Sequence, residues 1–171
     1  MKQQSKIPDK TIDGAQRAID GNFERYDNLL KGSTIIILFS ILTVLFYFGL
    51  IGLLWTIPFP HLNFLHNYNG YFNWASFAIA ALIFYWYRQS PLLSYLLLLL
   101  IFGITYGVTL VEASHQQGEL STRIIYAAML FTGGFGITRL LTKRHLNILS
   151  GILNIPLWLA RFVIKPMSAK Y

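Results

Sequence analysis

The feature that most constrains this chain is a run of 23 residues without a charged side chain, from Ser33 to Trp55. As an α-helix this run is about 35 Å long, enough to cross a bilayer core of roughly 30 Å. Three further apolar stretches follow, and only 12% of the residues are charged, about half the usual share of a soluble domain. We therefore predict an all-α, polytopic membrane protein with four transmembrane helices, over Ser33–Trp55, Phe72–Tyr87, Leu92–Val111 and Ile124–Leu141.

The segments on either side of these spans are predicted to form surface helices. Apolar residues recur at steps of three and four over Thr11–Leu30, which is typical of an amphipathic helix. The stretch Leu146–Ile164 contains Asn154 and Pro156, which leave polar groups to satisfy in lipid. We expect a kinked helix lying in the interface, with a fifth span as the alternative. Three regions result: a cytoplasmic tail with an amphipathic helix over 1–32, a four-span bundle over 33–141, and a C-terminal interfacial helix and basic tail over 142–171.

The basic residues are distributed unevenly around these spans. With four spans, thirteen of the 14 lysines and arginines fall on one side, which the positive-inside rule assigns to the cytoplasm together with both termini. The net charge of +7 then indicates attraction to anionic headgroups. No basic run is interleaved with aromatic residues outside the predicted spans, so nucleic acid is not an expected partner. We expect the bacterial inner membrane, or the endoplasmic reticulum membrane if the cell is eukaryotic.

Small residues and tryptophans suggest how the spans pack and where they end. Glycines let helix backbones approach closely in lipid, here within one molecule in preference to a dimer. The expected packing glycines are Gly49, Gly52, Gly103, Gly107, Gly133, Gly134 and Gly136. Tryptophans near the ends of spans anchor at headgroup level, and the expected interface anchors are Trp55, Trp74, Trp86 and Trp158.

Reactive groups are sparse in this sequence. The absence of cysteine excludes thiol catalysis, and no aspartate or glutamate lies inside a predicted span, which argues against ion-coupled transport. The weak candidates for metal ligands are His61 and His66, in one loop, and His115 on the same side. A site there would also need Glu112 or Glu119. We interpret the three histidines as interfacial loop residues and predict neither catalytic residues nor a metal site.

Three stretches carry a resemblance to a known family: "IGLLWTIPFP" from Ile51, "NWASFAIAALIFYWYRQSPLLSYLLLLL" from Asn73 and "IPLWLARFVIK" from Ile155. In order and spacing they resemble the 2-hydroxy-fatty-acid dioxygenase-like family of small membrane proteins, over Phe23–Tyr171. The resemblance implies about four spans. It also implies an enzyme that shortens a 2-hydroxy fatty acid by one carbon, using histidine-bound Fe(II) and O2.

The chain departs from that family at the residues that would bind iron. The family has a tyrosine and then H-x-x-x-x-N-x-x-x-H before and into the first span. Tyr26 matches that tyrosine, but Leu30 and Phe39 stand at the histidine positions. The family's second pattern, G-H-x-x-E, falls on "FGITR", where Gly136 and Arg139 replace histidine and glutamate. None of these four side chains can hold iron, whose sites use imidazole and carboxylate.

We therefore expect a divergent member that kept the scaffold and lost the iron site. Its expected function is that of a non-catalytic lipid-binding or assembly protein without a cofactor. Its expected partners are membrane lipids, with other membrane proteins or self-association left open. The alternative is an Fe(II)-dependent dioxygenase acting on 2-hydroxy fatty acids through relocated ligands. A structural protein with accidental similarity is the third reading.

The predicted topology can be tested with reporter fusions at Asn67 and at the C-terminus. We expect the reporter at Asn67 to be on the non-cytoplasmic side and the reporter at the C-terminus to be cytoplasmic, because of the distribution of basic residues. A cytoplasmic signal from the fusion at Asn67 would overturn this arrangement.

Overall fold

The computed structural model of the protein describes residues 21–28, 30, 32–60, 73–114 and 120–164. Within these residues the regular structure is entirely α-helical. The first helix, α1, is described over 21–28, which is the end of the predicted amphipathic segment; the earlier part of that segment lies outside the described residues. The remaining helices are α2 (Ser33–Thr56), α3 (Trp74–Gln89), α4 (Pro91–Ser114), α5 (Leu120–Thr142) and α6 (Ile148–Ile164).

Three of the described helices, α2, α4 and α5, are long and apolar enough to cross a membrane. The predicted all-α membrane class is confirmed at this level, with three such helices where we predicted four. The difference is α3, which has 16 residues and is thus roughly 24 Å long. It is bounded by an N-terminal capping box formed by Asn73 and Ser76 and by Ser90, whose position before Pro91 disfavours helix.

Helix α4 differs from its prediction at the C-terminal end. It begins at Pro91, which suits the first helical position, but it continues past Val111 to Ser114. Glu112 is therefore inside a candidate span and is only 5% exposed, against the side chain of Tyr126 on α5. The prediction that no acidic residue lies within a span is wrong here. The absence of acidic residues therefore no longer argues against ion-coupled transport.

Helices α2 and α5 pack with their backbones in close approach. A Cβ atom on Gly49 would lie 2.6 Å from the carbonyl oxygen of Tyr126, and one on Gly133 would lie 2.6 Å from the amide nitrogen of Phe46. Both distances are too short for any side chain, so glycine is required where the two helices meet. This is the close packing that small residues provide in membrane bundles.

The other five glycines have different surroundings. Added Cβ atoms on Gly52 and Gly136 would clash with the side chains of Tyr126 and Leu42. Contacts at Gly107 and Gly134 would be milder, with the rings of Phe48 and Phe46 at 3.0 and 3.4 Å. Gly103 has no neighbour within 4 Å and is exposed on α4.

Helix α6 folds back onto the bundle after a short turn. His145 has a positive φ of 54°, and Leu146 donates its amide proton to Leu141, which ends α5. Asn147 then caps α6, with its side-chain oxygen accepting the amide proton of Leu149. The returning helix packs against α2, α4 and α5, and Gly151 lies directly on Leu141.

The close approach at Gly133 can be tested with a single methyl group. We expect Gly133→Ala to lower the free energy of unfolding by about 1–3 kcal/mol, because a rigid backbone contact has to open. The matched control is Gly103→Ala, where the methyl group meets no atom and alanine favours the helix by up to about 1 kcal/mol. Thermal unfolding of the purified protein in detergent measures both. Equal stabilities of the two variants would contradict the described packing of α2 on α5.

Candidate functional site

Pro156, in the middle of α6, organises the polar contacts beneath this helix. A proline has no amide proton, so the carbonyl group of Ile152, four residues earlier, lacks its intrahelical donor. The hydroxyl of Tyr47 on α2 donates to this carbonyl oxygen at 3.1 Å. The indole N–H of Trp86 on α3 donates to the neighbouring carbonyl oxygen of Leu153 at 2.9 Å. Side chains of two other helices therefore satisfy the backbone of α6.

Asn154 is the centre of a second group of buried polar contacts. The Tyr85 hydroxyl donates to its side-chain oxygen at 2.9 Å, and its amide donates to the Ser150 hydroxyl at 3.0 Å. Tyr26 of α1 lies against Ser150 and Asn154, and burial raises the pKa of its hydroxyl above the usual range. The buried amide, 4% exposed, has the partners that a polar group inside a membrane protein needs.

Helix α1 is held on α6 by Asp27. Its carboxylate accepts a hydrogen bond from the indole N–H of Trp158 at 2.8 Å and pairs with the guanidinium of Arg161. The same guanidinium lies over the ring of Phe23 at 5.1 Å. A charge-assisted bond and a cation–π contact thus join α1, before the first span, to α6.

These polar groups show no catalytic constellation. The tyrosine hydroxyls and the asparagine amide are used to join helices, and no histidine lies beside a hydroxyl among them. Within the described ranges there is no group of three histidine, aspartate or glutamate side chains that could hold a metal. Two grooves with mostly apolar walls are the surfaces of the described residues that a ligand could contact.

The first groove lies between α2, α4 and α6, and we call it the α2–α4–α6 groove. Its volume is about 480 Å³, within the range of small-molecule sites. Pro156 is part of its wall, so the packing of α6 described above shapes it. The Ser40 hydroxyl donates to its own helix, at Ile36, and the lining is otherwise mostly aliphatic. The lining residues are Ser40, Thr43, Val44, Leu96, Leu97, Leu99, Leu100, Pro156, Leu159, Ala160 and Val163.

The second groove, the α2–α5 groove, lies between α2 and α5 and is wider and shallower, with a volume of about 690 Å³. Gly136 forms part of its floor, and Arg139 is its one charged residue. The guanidinium of Arg139 lies 5.7 Å from the centre of the Phe135 ring. The lining residues are Leu38, Leu42, Phe131, Thr132, Phe135, Gly136, Arg139 and Leu140.

The predicted interface anchors divide into two pairs. Trp86 and Trp158 are each 1% exposed, because their rings pack in the core and their N–H groups bind protein acceptors. For these two the prediction is wrong. Trp74 is 44% exposed and Trp55 is half-buried, and their role as anchors stays a prediction.

The structure describes the positions at which the family binds iron, but not the three predicted candidates for metal ligands. His61, His66 and His115 lie outside the described residues. Leu30 and Phe39 are buried in the apolar core, whereas Arg139 is exposed at the α2–α5 groove.

Sequence reasoning missed the role of α6 in joining the other helices. From the sequence, Asn154 and Pro156 are expected to be unfavourable in lipid because they leave polar groups unsatisfied. The hydrogen-bond partners that α2 and α3 provide are not predicted. The signal was present, because Tyr47, Tyr85 and Trp86 are the donors that such a helix requires. Their spacing along the chain gave no indication of which acceptor each one reaches.

Comparison of the chain with known protein families, with curated proteins and with solved structures gave no match. A function for this chain therefore rests on its own geometry.

The role of Tyr47 can be tested with a double-mutant cycle. We expect Tyr47→Phe to lower the free energy of unfolding by about 1 kcal/mol, because the Ile152 carbonyl loses its donor. In a Pro156→Ala background the amide of residue 156 can donate instead, so the same change should cost less. Tyr106→Phe, at a position 67% exposed, is the control and should have no effect. An equal loss in both backgrounds would show that Tyr47 does not compensate for the proline.

Proposed function

We propose that this protein is a multi-pass membrane protein that binds a lipid acyl chain in the α2–α4–α6 groove and performs no catalysis of its own. The groove supports the proposal, because its walls are aliphatic over three helices and its volume is about 480 Å³. An acyl chain is the ligand that such a surface favours, since it has no polar group to satisfy. A subunit of a larger membrane assembly that carries lipid in this way fits the same features.

The arrangement of the polar side chains supports a role without catalysis. Tyr47, Tyr85 and Asn154 are engaged in bonds between helices, and they leave no free base beside a nucleophile. The positions that would carry iron in the family resembled by this sequence hold Leu30, Phe39, Gly136 and Arg139. We regard this chain as a divergent relative of that family that uses the scaffold for lipid binding.

The proposed topology has four spans, with α3 as the fourth, and both termini on the cytoplasmic side. Although α3 is short, its ends carry exposed Trp74 and Arg88, which suit the two interfaces of a locally thinned bilayer. We place α6 in the interface, since it has 17 residues and contains Asn154 and Pro156. A bacterial inner membrane, or the endoplasmic reticulum membrane in a eukaryote, fits this topology.

The test is to fill the groove from its exposed rim. Val44 and Val163 line the groove and are 42% and 56% exposed, so a larger side chain at either position can enter it without displacing the core. We expect Val44→Trp and Val163→Trp to reduce the lipid retained by the purified protein, counted by native mass spectrometry. They should also reduce labelling of Leu96–Leu100 by a fatty acid carrying a photoreactive group on its chain.

Leu110→Trp is the matched control, because Leu110 is 53% exposed on α4 and does not line the groove. Unchanged lipid retention in both groove variants would contradict the proposal. Iron analysis of the same preparations tests the enzymatic alternative. Iron near one equivalent that is lost in His61→Ala or His66→Ala, with consumption of 2-hydroxy fatty acids, would replace lipid binding by oxygenase activity.

A further inference from the structure

The α2–α5 groove has a regular row of residues along one wall. Phe131, Phe135 and Arg139 follow each other at steps of four on α5, which places them on one face of the helix. The two rings are 75% and 67% exposed, and Lys143 continues the spacing just after the helix ends. The groove is therefore apolar along its length and basic at one end.

The basic end lacks a counter-ion within the described part of the chain. No described carboxylate pairs with Arg139 or Lys143. Asp27 is bound by Arg161, Glu112 lies beside Tyr126, and Glu24 is exposed on α1. Tyr126 is thirteen residues before Arg139 in the same helix, which is roughly 20 Å. The described residues therefore leave this end free to bind an anion.

We propose that the α2–α5 groove binds one anionic phospholipid of the surrounding membrane. An acyl chain lies along Leu38, Leu42 and the two phenylalanine rings, and the phosphate binds Arg139 and Lys143. Arg139 is in the last turn of a candidate span, the depth at which long basic side chains reach the headgroups. An arginine there can bind phosphate through two parallel N–H groups. The two positive charges favour a lipid with net negative charge over a zwitterionic lipid.

A second copy of the chain fits this surface less well than a lipid. Copies inserted in the same direction and related by a two-fold axis would bring the same groove ends to the same depth. Arg139 and Lys143 of one copy would then face the equivalent charges of the other. This repulsion favours an anionic amphiphile as the occupant.

The test compares two phospholipids with identical chains, phosphatidylglycerol and phosphatidylcholine, added to the full-length protein in detergent. We expect phosphatidylglycerol to bind more tightly and to raise the melting temperature further. Arg139→Gln and Lys143→Gln should each weaken its binding by about fivefold, and Arg139→Lys should retain most of it. Binding of phosphatidylcholine should change little.

Arg88→Gln is the matched control. Arg88 is exposed, and its guanidinium lies 5.9 Å from the ring of Phe84, so it has the same ring contact outside the groove. Equal affinity for both lipids, or an equal loss in Arg88→Gln and Arg139→Gln, would overturn the site. A change from dimer to monomer in Arg139→Gln without a change in lipid binding would also overturn it, in favour of a second copy. Val163→Trp, in the other groove, should leave this preference intact, so the two proposals can fail separately.

Discussion

Pro156 is the residue on which the packing of α6 depends. A proline in the interior of a helix costs about 3 kcal/mol or more, through the lost backbone bond and the clash of its ring with the carbonyl group four residues earlier. Here Tyr47 donates to the carbonyl oxygen of Ile152, which offsets that loss only while α6 lies against α2. Trp86 of α3 donates to the neighbouring carbonyl oxygen of Leu153. The proline therefore makes the packing of α6 depend on α2, and the Trp86 bond joins α6 to α3 as well. Because Pro156 also lines the α2–α4–α6 groove, the same bonds maintain the groove.

The helices and their ends could largely be predicted from the sequence, because uncharged runs, capping residues and prolines act locally. The start of α4 at Pro91, one residue before the predicted span Leu92–Val111, is an example. The burial of Trp86 could not be predicted in this way. Tryptophan near the end of a span is common at an interface, and only the acceptor on α6, 67 residues later, moves this one into the core. The grooves depend likewise on which helix faces overlap, which the spacing of apolar residues does not specify.

The contacts of the charged residue Arg161 could not be predicted from the sequence either. A basic side chain near the end of a helix can reach the headgroups, and the sequence does not show which partner Arg161 has. In the structure Arg161 binds Asp27 and lies over the ring of Phe23. An acidic and an aromatic residue of α1 thus give a partly buried cation its partners. The described part of α1 is in consequence packed against α6.

Helix α2 forms part of the wall of both grooves. Leu38 and Leu42 line one groove, and Ser40 and Val44, two residues further along in each case, line the other. Two residues correspond to roughly 200° around a helix, so the grooves open on nearly opposite faces of α2. Both lie in its N-terminal half, which is in the cytoplasmic leaflet in the proposed topology. The close contact at Gly133 holds α5 against one side of α2, and the bonds around Pro156 hold α6 near the other. In the proposed topology both grooves would therefore face lipids of the same leaflet, on two sides of α2.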